Sequence, residues 1–324
     1  LKTGYRFGDA SMVTGYHWDS DVQAGRLLAS ALMVRLHDHT GVNSMINSAK
    51  AEYAKVSGTA YVSPGLTPDT YQYFTNDQLP DAVKYLPAPP DTVSALGTTD
   101  MNKFIEGKAI RPTEEGQIAI DDVNNELDYF LKIYSNAFGR TLSATATPET
   151  YKLCESMYTL GDGATRSCKN YYKRSRPFKQ LNEATAYPPA ENIEKNTGSY
   201  PSGDASTGWM YALVLSELNP DAEESLLARA YQYGAGRVIT GYHWQTDVEA
   251  GRLVGSAVYA RLHNSDEFLK QFERAKKELA GTLEVRSVSA DVKDADTYTL
   301  GGVKVAGEPT QKGVYIQGDK KVIR

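Results

Sequence analysis

From Thr113 to Phe138 the apolar residues Ile118, Ile120, Val123, Leu127, Phe130, Leu131 and Tyr134 recur at helical spacing, which predicts a helix over 113–138. Thr147 and Pro148 form a start signal for a second helix, predicted to run from Pro148 to Lys173. The same periodicity predicts helices over Ala205–Leu218, Ala222–Tyr233, Asp247–His263 and Asp266–Leu279, and the pattern turns helical from Asp100. Residues 57–100 are rich in Pro, Thr and Asp and read as an extended entry segment. Strand signals are nearly absent until the tail. There Val285, Val288 and Val292, then Tyr298–Val305, then Gly313–Ile316 form short β-branched and aromatic runs bounded by Gly and Pro. They predict a small β module after a linker near 281–287.

The first helices are a copy. Tyr5–His37 aligns without gaps on Tyr231–His263, with about 18 of 33 positions identical, and the match fades near Ala54. Val13–Trp18 mirrors Ile239–Trp244, and Asp21 mirrors Asp247. Ser11 stands at the position of Arg237, and nothing before residue 57 matches the other motifs described below. The segment reads as the last piece of a tandem twin domain, with no catalysis expected from His17. His37 and His263 each end an Arg-Leu-His run and read as structural.

Composition narrows the class. With 324 residues and 41% apolar content the chain can bury a sizeable core. The net charge of −5 disfavours nucleic acid as a partner. No apolar run reaches the ~18 residues of a membrane span. Within this acidic chain Lys169, Lys173, Arg174, Arg176 and Lys179 form a dense basic cluster, which suits a small anionic ligand. Cys154 and Cys168 are the only cysteines, and a helical reading spaces them too far apart to favour a disulfide.

Three runs carry candidate chemistry. Lys169 and Arg176 are seven residues apart, so one helix would project both from one face, with Pro177 ending it. Ser202 and Gly203 precede a helix, where free N–H groups and a positive dipole end accept an anion. Arg237 is followed by His243 and Asp247; the last two, at i and i+4, are neighbours on a helix, and the carboxylate can fix the imidazole tautomer. Each run alone also fits a structural role: a solvated basic face, an ordinary helix cap, a buried His-Asp pair.

Taken together, in this order and spacing, the runs resemble the PAP2 phosphatase superfamily, and within it the bacterial class A non-specific acid phosphatases. Tyr85–Pro90, Ala164–Ser167, Arg176–Phe178, Gly198–Gly203 and Gly241–Gln245 all look like that family's segments. The resemblance covers most of residues 70–280. It implies an all-α, PAP2-type helical bundle and a two-step phosphoryl transfer that uses no metal or other cofactor, on a small phosphomonoester substrate. His243 would become the phosphohistidine and Asp247 would orient it. Lys169, Arg176, Ser202, Gly203 and Arg237 would hold the phosphate oxygens. The tail, with Tyr298-x-Leu300-x-Gly302 and the basic end Lys320–Arg324, resembles C-terminal sorting modules of Bacteroidetes type IX secretion, which implies export to the periplasm or the outer surface.

One position departs from the pattern. Asp204 stands where the family has a histidine that protonates the leaving alcohol. An aspartate titrates near 3.9 against about 6.5 for histidine. Asp204 is therefore expected to be ionised at neutral pH, leaving a weakened or acid-shifted phosphatase, unless its pocket keeps it protonated so that it replaces the histidine as a catalytic residue. A non-catalytic phosphate-binding pseudoenzyme is the main alternative, and a vanadate-dependent haloperoxidase ranks below it. The expected organisation is a partial repeat over 1–56, a complete PAP2 domain over 57–282 and the β tail over 283–324. A homo-oligomer is compatible with this reading.

Overall fold

A computed structural model describes residues 1–58 and 73–284 together with four short strands of the tail. The helices are α1 (Lys2–Val13), α2 (Asp19–Asp38), α3 (Thr40–Ser57), α4 (Ala95–Ile110), α5 (Glu114–Asp121), α6 (Leu127–Phe138), α7 (Pro148–Met157) and α8 (Leu160–Gly163). They continue as α9 (Arg166–Tyr172), α10 (Pro177–Leu181), α11 (Glu191–Glu194), α12 (Gly203–Leu218), α13 (Glu223–Thr240), α14 (Gln245–Leu262) and α15 (Asp266–Glu284). The chain divides into two compact units, Leu1–Glu278 and Leu279–Arg324. In the second, β1 (Thr297–Thr299), β2 (Lys304–Val305), β3 (Val314–Gln317) and β4 (Lys320–Ile323) form an antiparallel sheet of order β2-β1-β3-β4. The runs at Val285, Val288 and Val292 lie outside the described residues.

The all-α expectation for the main unit holds, and its centre is α12. Every residue of that helix except Asp204 is buried, as a helix enclosed on all sides requires. Helices α13 and α14 flank it along most of its length. An aromatic cluster closes one side: Phe130 meets Tyr211 edge-on at 4.7 Å and Tyr233 at 5.3 Å, and the Tyr134 hydroxyl donates to the Gly208 carbonyl at 2.9 Å. Each aromatic pair adds about 0.5–1.5 kcal/mol beyond its area.

Several helix boundaries differ from the periodic reading. The helix expected over 113–138 is two, α5 and α6. The Asp122 carboxylate is drawn to Arg229, and Asn124 Oδ1 accepts from the Glu126 amide, so the intervening turn satisfies itself without a helical ladder. The helix expected over 148–173 is three short helices; the second break follows α8, where the Gly161 carbonyl accepts from Ser206 Oγ of α12 at 2.8 Å and the Thr165 amide turns to Asp162. α13 runs seven residues past Tyr233, to Thr240, and stops at Gly241, whose φ of 89° suits only glycine. In the segment read as extended, α4 begins already at Ala95, with Ser94 Oγ capping the Gly97 amide at 3.1 Å.

α14 approaches α12 closely enough that a Cβ at Gly255 would overlap the Ser206 carbonyl oxygen. Gly255→Val is therefore expected to lower stability by about 1–3 kcal/mol through overpacking. A thermal melt that matches the parent would show that the two helices can part without cost.

Candidate active site

The three sequence runs converge, though not by the local geometry that spacing alone suggests. α9 ends at Tyr172, and Lys173 turns into the left-handed region at φ 50°. Arg176 is not on that helix: it is the N-cap of α10, and Pro177 opens that helix rather than closing the previous one. Lys169 and Arg176 nonetheless border one cavity of about 240 Å³. Gly203, Asp204 and His243 border it too, with Asn125, Tyr158, Asp162, Arg166 and Glu194 among its other walls. Ser202, Arg237 and Asp247 stand behind the wall, all buried.

His243 likewise precedes its helix. It sits in the turn before α14, Trp244 is the N-cap, and Asp247 is the third helical residue. Asp247 Oδ2 accepts from the Trp244 amide at 2.8 Å and from the Ser199 hydroxyl. The same oxygen is 3.5 Å from His243 Nδ1, and Ser199 Oγ is 3.4 Å from that nitrogen. The other face of the ring fixes the tautomer. Arg176 Nη1, which can only donate, lies 3.1 Å from His243 Nε2. Nε2 therefore carries the lone pair at the cavity wall, and Nδ1 carries the proton toward Asp247.

Asp247 is held in turn. Its Oδ1 accepts from Arg174 Nη1 at 2.6 Å, and Arg174 Nη2 reaches Asp100 Oδ2 at 2.7 Å. Asp100 also takes the Thr246 amide at 2.9 Å, tying α4 to the start of α14. The Asp247 carbonyl accepts from the Ser202 amide at 2.9 Å, which joins α14 to the N-cap of α12. Ser202 Oγ accepts from the Ala205 amide at 3.3 Å, so it caps the helix. Gly203 opens α12 against Asp162, whose carboxylate a Cβ would overlap.

Electrostatics match this layout. Burial, and then Arg176, lower the His243 pKa to about 4 against the opposing pull of Asp247. Asp247 stays ionised: burial raises its pKa, but the His243 hydrogen bond and Arg174 outweigh that and bring it down to about 2. Asp204 is also lowered. Burial works against its charge, and Arg237, His243, Lys169 and Arg176 together prevail. Its Oδ2 is 3.0 Å from Arg237 Nε.

Each cation of the pocket already has a carboxylate: Asp204 on Arg237, Glu194 on Arg176, and Asp162 on Lys169 at 3.3 Å. Even so, Arg176 Nε and Arg237 Nη1 are buried donors with no hydrogen-bond partner. Buried donors of this kind are normally satisfied, so each could take an oxygen of an anion.

A model of the PAP2 superfamily matches residues 152–269. Over 233 residues the chain is 40% identical to a non-specific acid phosphatase of Providencia stuartii, covering 70% of this chain and 94% of that protein. It is 37% identical over 196 residues to a non-specific acid phosphatase of Salmonella typhimurium, covering 60% of this chain and 78% of that protein. It is 32% identical over 200 residues to an acid phosphatase of Zymomonas mobilis, covering 61% and 75%. The chain belongs to the PAP2 superfamily, with the bacterial non-specific acid phosphatases.

Four contributors to the site escaped the sequence reading. Arg174 was visible only as one of a basic cluster, and Ser199 only as part of a family-like segment. Asp100 and Glu194 arrive from α4 and α11 with no motif around them. The N-terminal copy of the site is incomplete: His17 Nδ1 lies 3.6 Å from Asp21, but both side chains are about half exposed, at 57% and 47%. The two cysteines are free and buried, on α7 and α9. Among the described residues one cluster, His37, Glu217 and His263, places three metal-ligating atoms within 4.8 Å of one another, and none of the three borders the cavity. No described helix is long and apolar enough to cross a membrane.

The His243 pKa sets the sign of a pH effect. The unfolded histidine binds a proton near 6.5 and the folded one only near 4. Stability should therefore fall as pH drops from about 6.5 to about 4, and His243→Gln should flatten that slope in urea melts. The Asp247 contribution is lost lower, from 3.8 down to about 2. A second expectation concerns Glu194. Glu194→Gln removes a competing charge from Arg176 and should tighten inhibition by inorganic phosphate by about fivefold, roughly 1 kcal/mol, in competitive assays.

Proposed function

We propose that this protein is a phosphomonoester hydrolase in which His243 Nε2 attacks the phosphorus and carries the phosphoryl group as a phosphohistidine. The observation that carries this reading is the buried His243, with Nε2 unprotonated at the cavity wall beside Arg176 and Nδ1 turned to Asp247 and Ser199. A nucleophile needs an unprotonated nitrogen at working pH, and a pKa near 4 keeps Nε2 unprotonated in mildly acid solution. The P–O bond to the leaving group breaks as the N–P bond forms, and water then cleaves the N–P bond to release phosphate. Lys169, Arg176 and the unpartnered donors of Arg237, with the α12 N-terminus at Ser202 and Gly203, stabilise the charge on the equatorial oxygens.

Asp204 is the weak member. Its lowered pKa leaves it ionised, so it lacks the proton an alkoxide leaving group requires. The substrates best served are then phosphomonoesters of good leaving groups such as phenols. The Asp204–Arg237 ion pair also favours a second reading, a phosphate binder without turnover, because the carboxylate competes with phosphate for that arginine. An exported protein, periplasmic or surface-located, fits the tail's resemblance to sorting modules.

The test is hydrolysis of p-nitrophenyl phosphate and of an alkyl phosphate from pH 3.5 to 8 in EDTA. His243→Ala should lose at least about a thousandfold in kcat/KM. Asp204→His should raise alkyl phosphate turnover by about 10²-fold or more, with a smaller gain on the phenyl ester. The parent's acid limb should fall near pH 4 rather than 6.5. No turnover by the parent or Asp204→His, with phosphate still bound, would establish the binder.

A further inference from the structure

Two histidines outside the active-site cavity meet on one buried carboxylate. His37 lies in the last turn of α2, Glu217 in α12, and His263 is the C-cap of α14. All three belong to the Leu1–Glu278 unit. Their side chains are only 11%, 7% and 12% exposed. Neither histidine has a partner legible in the sequence, and in the fold they share one.

The hydrogen bonds around them decide where each lone pair points. His263 Nδ1 is 3.0 Å from the Tyr259 carbonyl, which can only accept, so Nδ1 carries a proton. Nε2 is thereby turned onto Glu217 Oε2 at 2.9 Å. A neutral imidazole in that position presents a lone pair to a carboxylate, and the contact requires a cation to join them. The Tyr259 hydroxyl donates to the same oxygen at 2.8 Å and holds the carboxylate in place. His37 Nδ1 lies 4.0 Å from Glu217 Oε2 and 3.1 Å from the Tyr259 hydroxyl, with its ring centroid 4.1 Å from that of His263. Two imidazoles this close cannot both carry a proton charge without repulsion.

Two imidazole nitrogens and one carboxylate oxygen are the donors of a three-ligand zinc site, with bonds of about 2.0–2.2 Å and a fourth position for water. Two such bonds at right to tetrahedral angles set their ligand atoms about 2.9–3.3 Å apart. The His263–Glu217 pair already has that spacing, and His37 Nδ1 reaches it by moving less than ~1 Å. Zinc-binding histidines characteristically give their far N–H to a carbonyl, and the ligating carboxylates are themselves hydrogen-bonded. Here Tyr259 does both, through its carbonyl and its hydroxyl. The absence of a thiolate from the set also suits an imidazole-binding ion such as Zn2+.

We propose that His37, Glu217 and His263 form a zinc site, oriented by Tyr259, that clamps α2 to α12 and α14. The site is structural, since none of its ligands borders the cavity that holds His243. Its competitor is a proton on His263 Nε2, which would answer Glu217 with one histidine, whereas zinc needs both. Lys50, whose Nζ lies 3.4 Å from the His263 carbonyl, adds a positive charge nearby against which the ion must bind.

The test uses the full chain, stripped with EDTA and dialysed, with Zn2+ alone as the ligand. Calorimetry should show one Zn2+ bound per chain, and Zn2+ should raise the melting temperature. His37→Gln and Glu217→Gln should each weaken binding by about 10²-fold or more and remove the thermal shift. X-ray absorption at the zinc edge of the parent should show two imidazoles per zinc, a readout that does not depend on either variant folding. No Zn2+ bound by the parent, binding left intact in His37→Gln, or fewer than two imidazoles around the metal overturns the proposal and leaves the proton between His263 and Glu217.

Discussion

The carboxylate of Asp247 is the constraint on which the site depends. Buried and ionised, it binds the Trp244 amide, the Ser199 hydroxyl, Arg174 and the proton side of His243, while its backbone carbonyl takes the Ser202 amide. One residue thereby fixes the entry of α14, the N-cap of α12, the loop before it and the imidazole. A buried charge is tolerated only when its lone pairs are filled, and filling them requires segments far apart in sequence to meet there. Arg174 and Asp100 extend the same logic outward, so the imidazole is aimed by a network rather than by its own turn.

The pocket in front of His243 is a cationic cradle whose charges are already answered by carboxylates. Asp162 sits on Lys169 and Arg166, Glu194 on Arg176 and Asp204 on Arg237. An anion entering the pocket would exchange one set of ion pairs for another, and Arg176 Nε and Arg237 Nη1, still lacking hydrogen-bond partners, would favour the exchange. The three carboxylates differ in position: Asp204 belongs to the anion-binding helix terminus itself, whereas Glu194 reaches in from a short helix at the rim. Substitution at 204 would thus change the charge that faces Arg237 inside the pocket.

The N-terminal repeat carries the third motif without its arginine. Its histidine and aspartate keep their spacing but face solvent, and Ser11 stands where the arginine would be. What packs on the main helices is one face of α2, through Ser30, Val34 and His37. That face packs because its complement, α12 and α14, is present in the same chain.

Sequence by itself determined the helical class, the order of the three motifs, the repeat and the odd residue at 204, because periodicity, spacing and identity are local properties. It also placed Lys169, Arg176, Gly203, Asp204 and His243, which all border one cavity. Local spacing misled wherever a distant partner drew the backbone away from an unbroken helix. Lys169 and Arg176 share a pocket but not a helix, since the chain turns at Lys173. Gly161 gives its carbonyl to Ser206, and α8 ends at Gly163. Only tertiary structure recruited Asp100, Ser199 and Glu194, chose the histidine tautomer through Arg176, and put a carboxylate on each cation. Those outcomes depend on which donors and acceptors meet across α4, α10, α11, α12 and α14, and hydrogen-bond satisfaction in a buried site is decided by the whole fold at once.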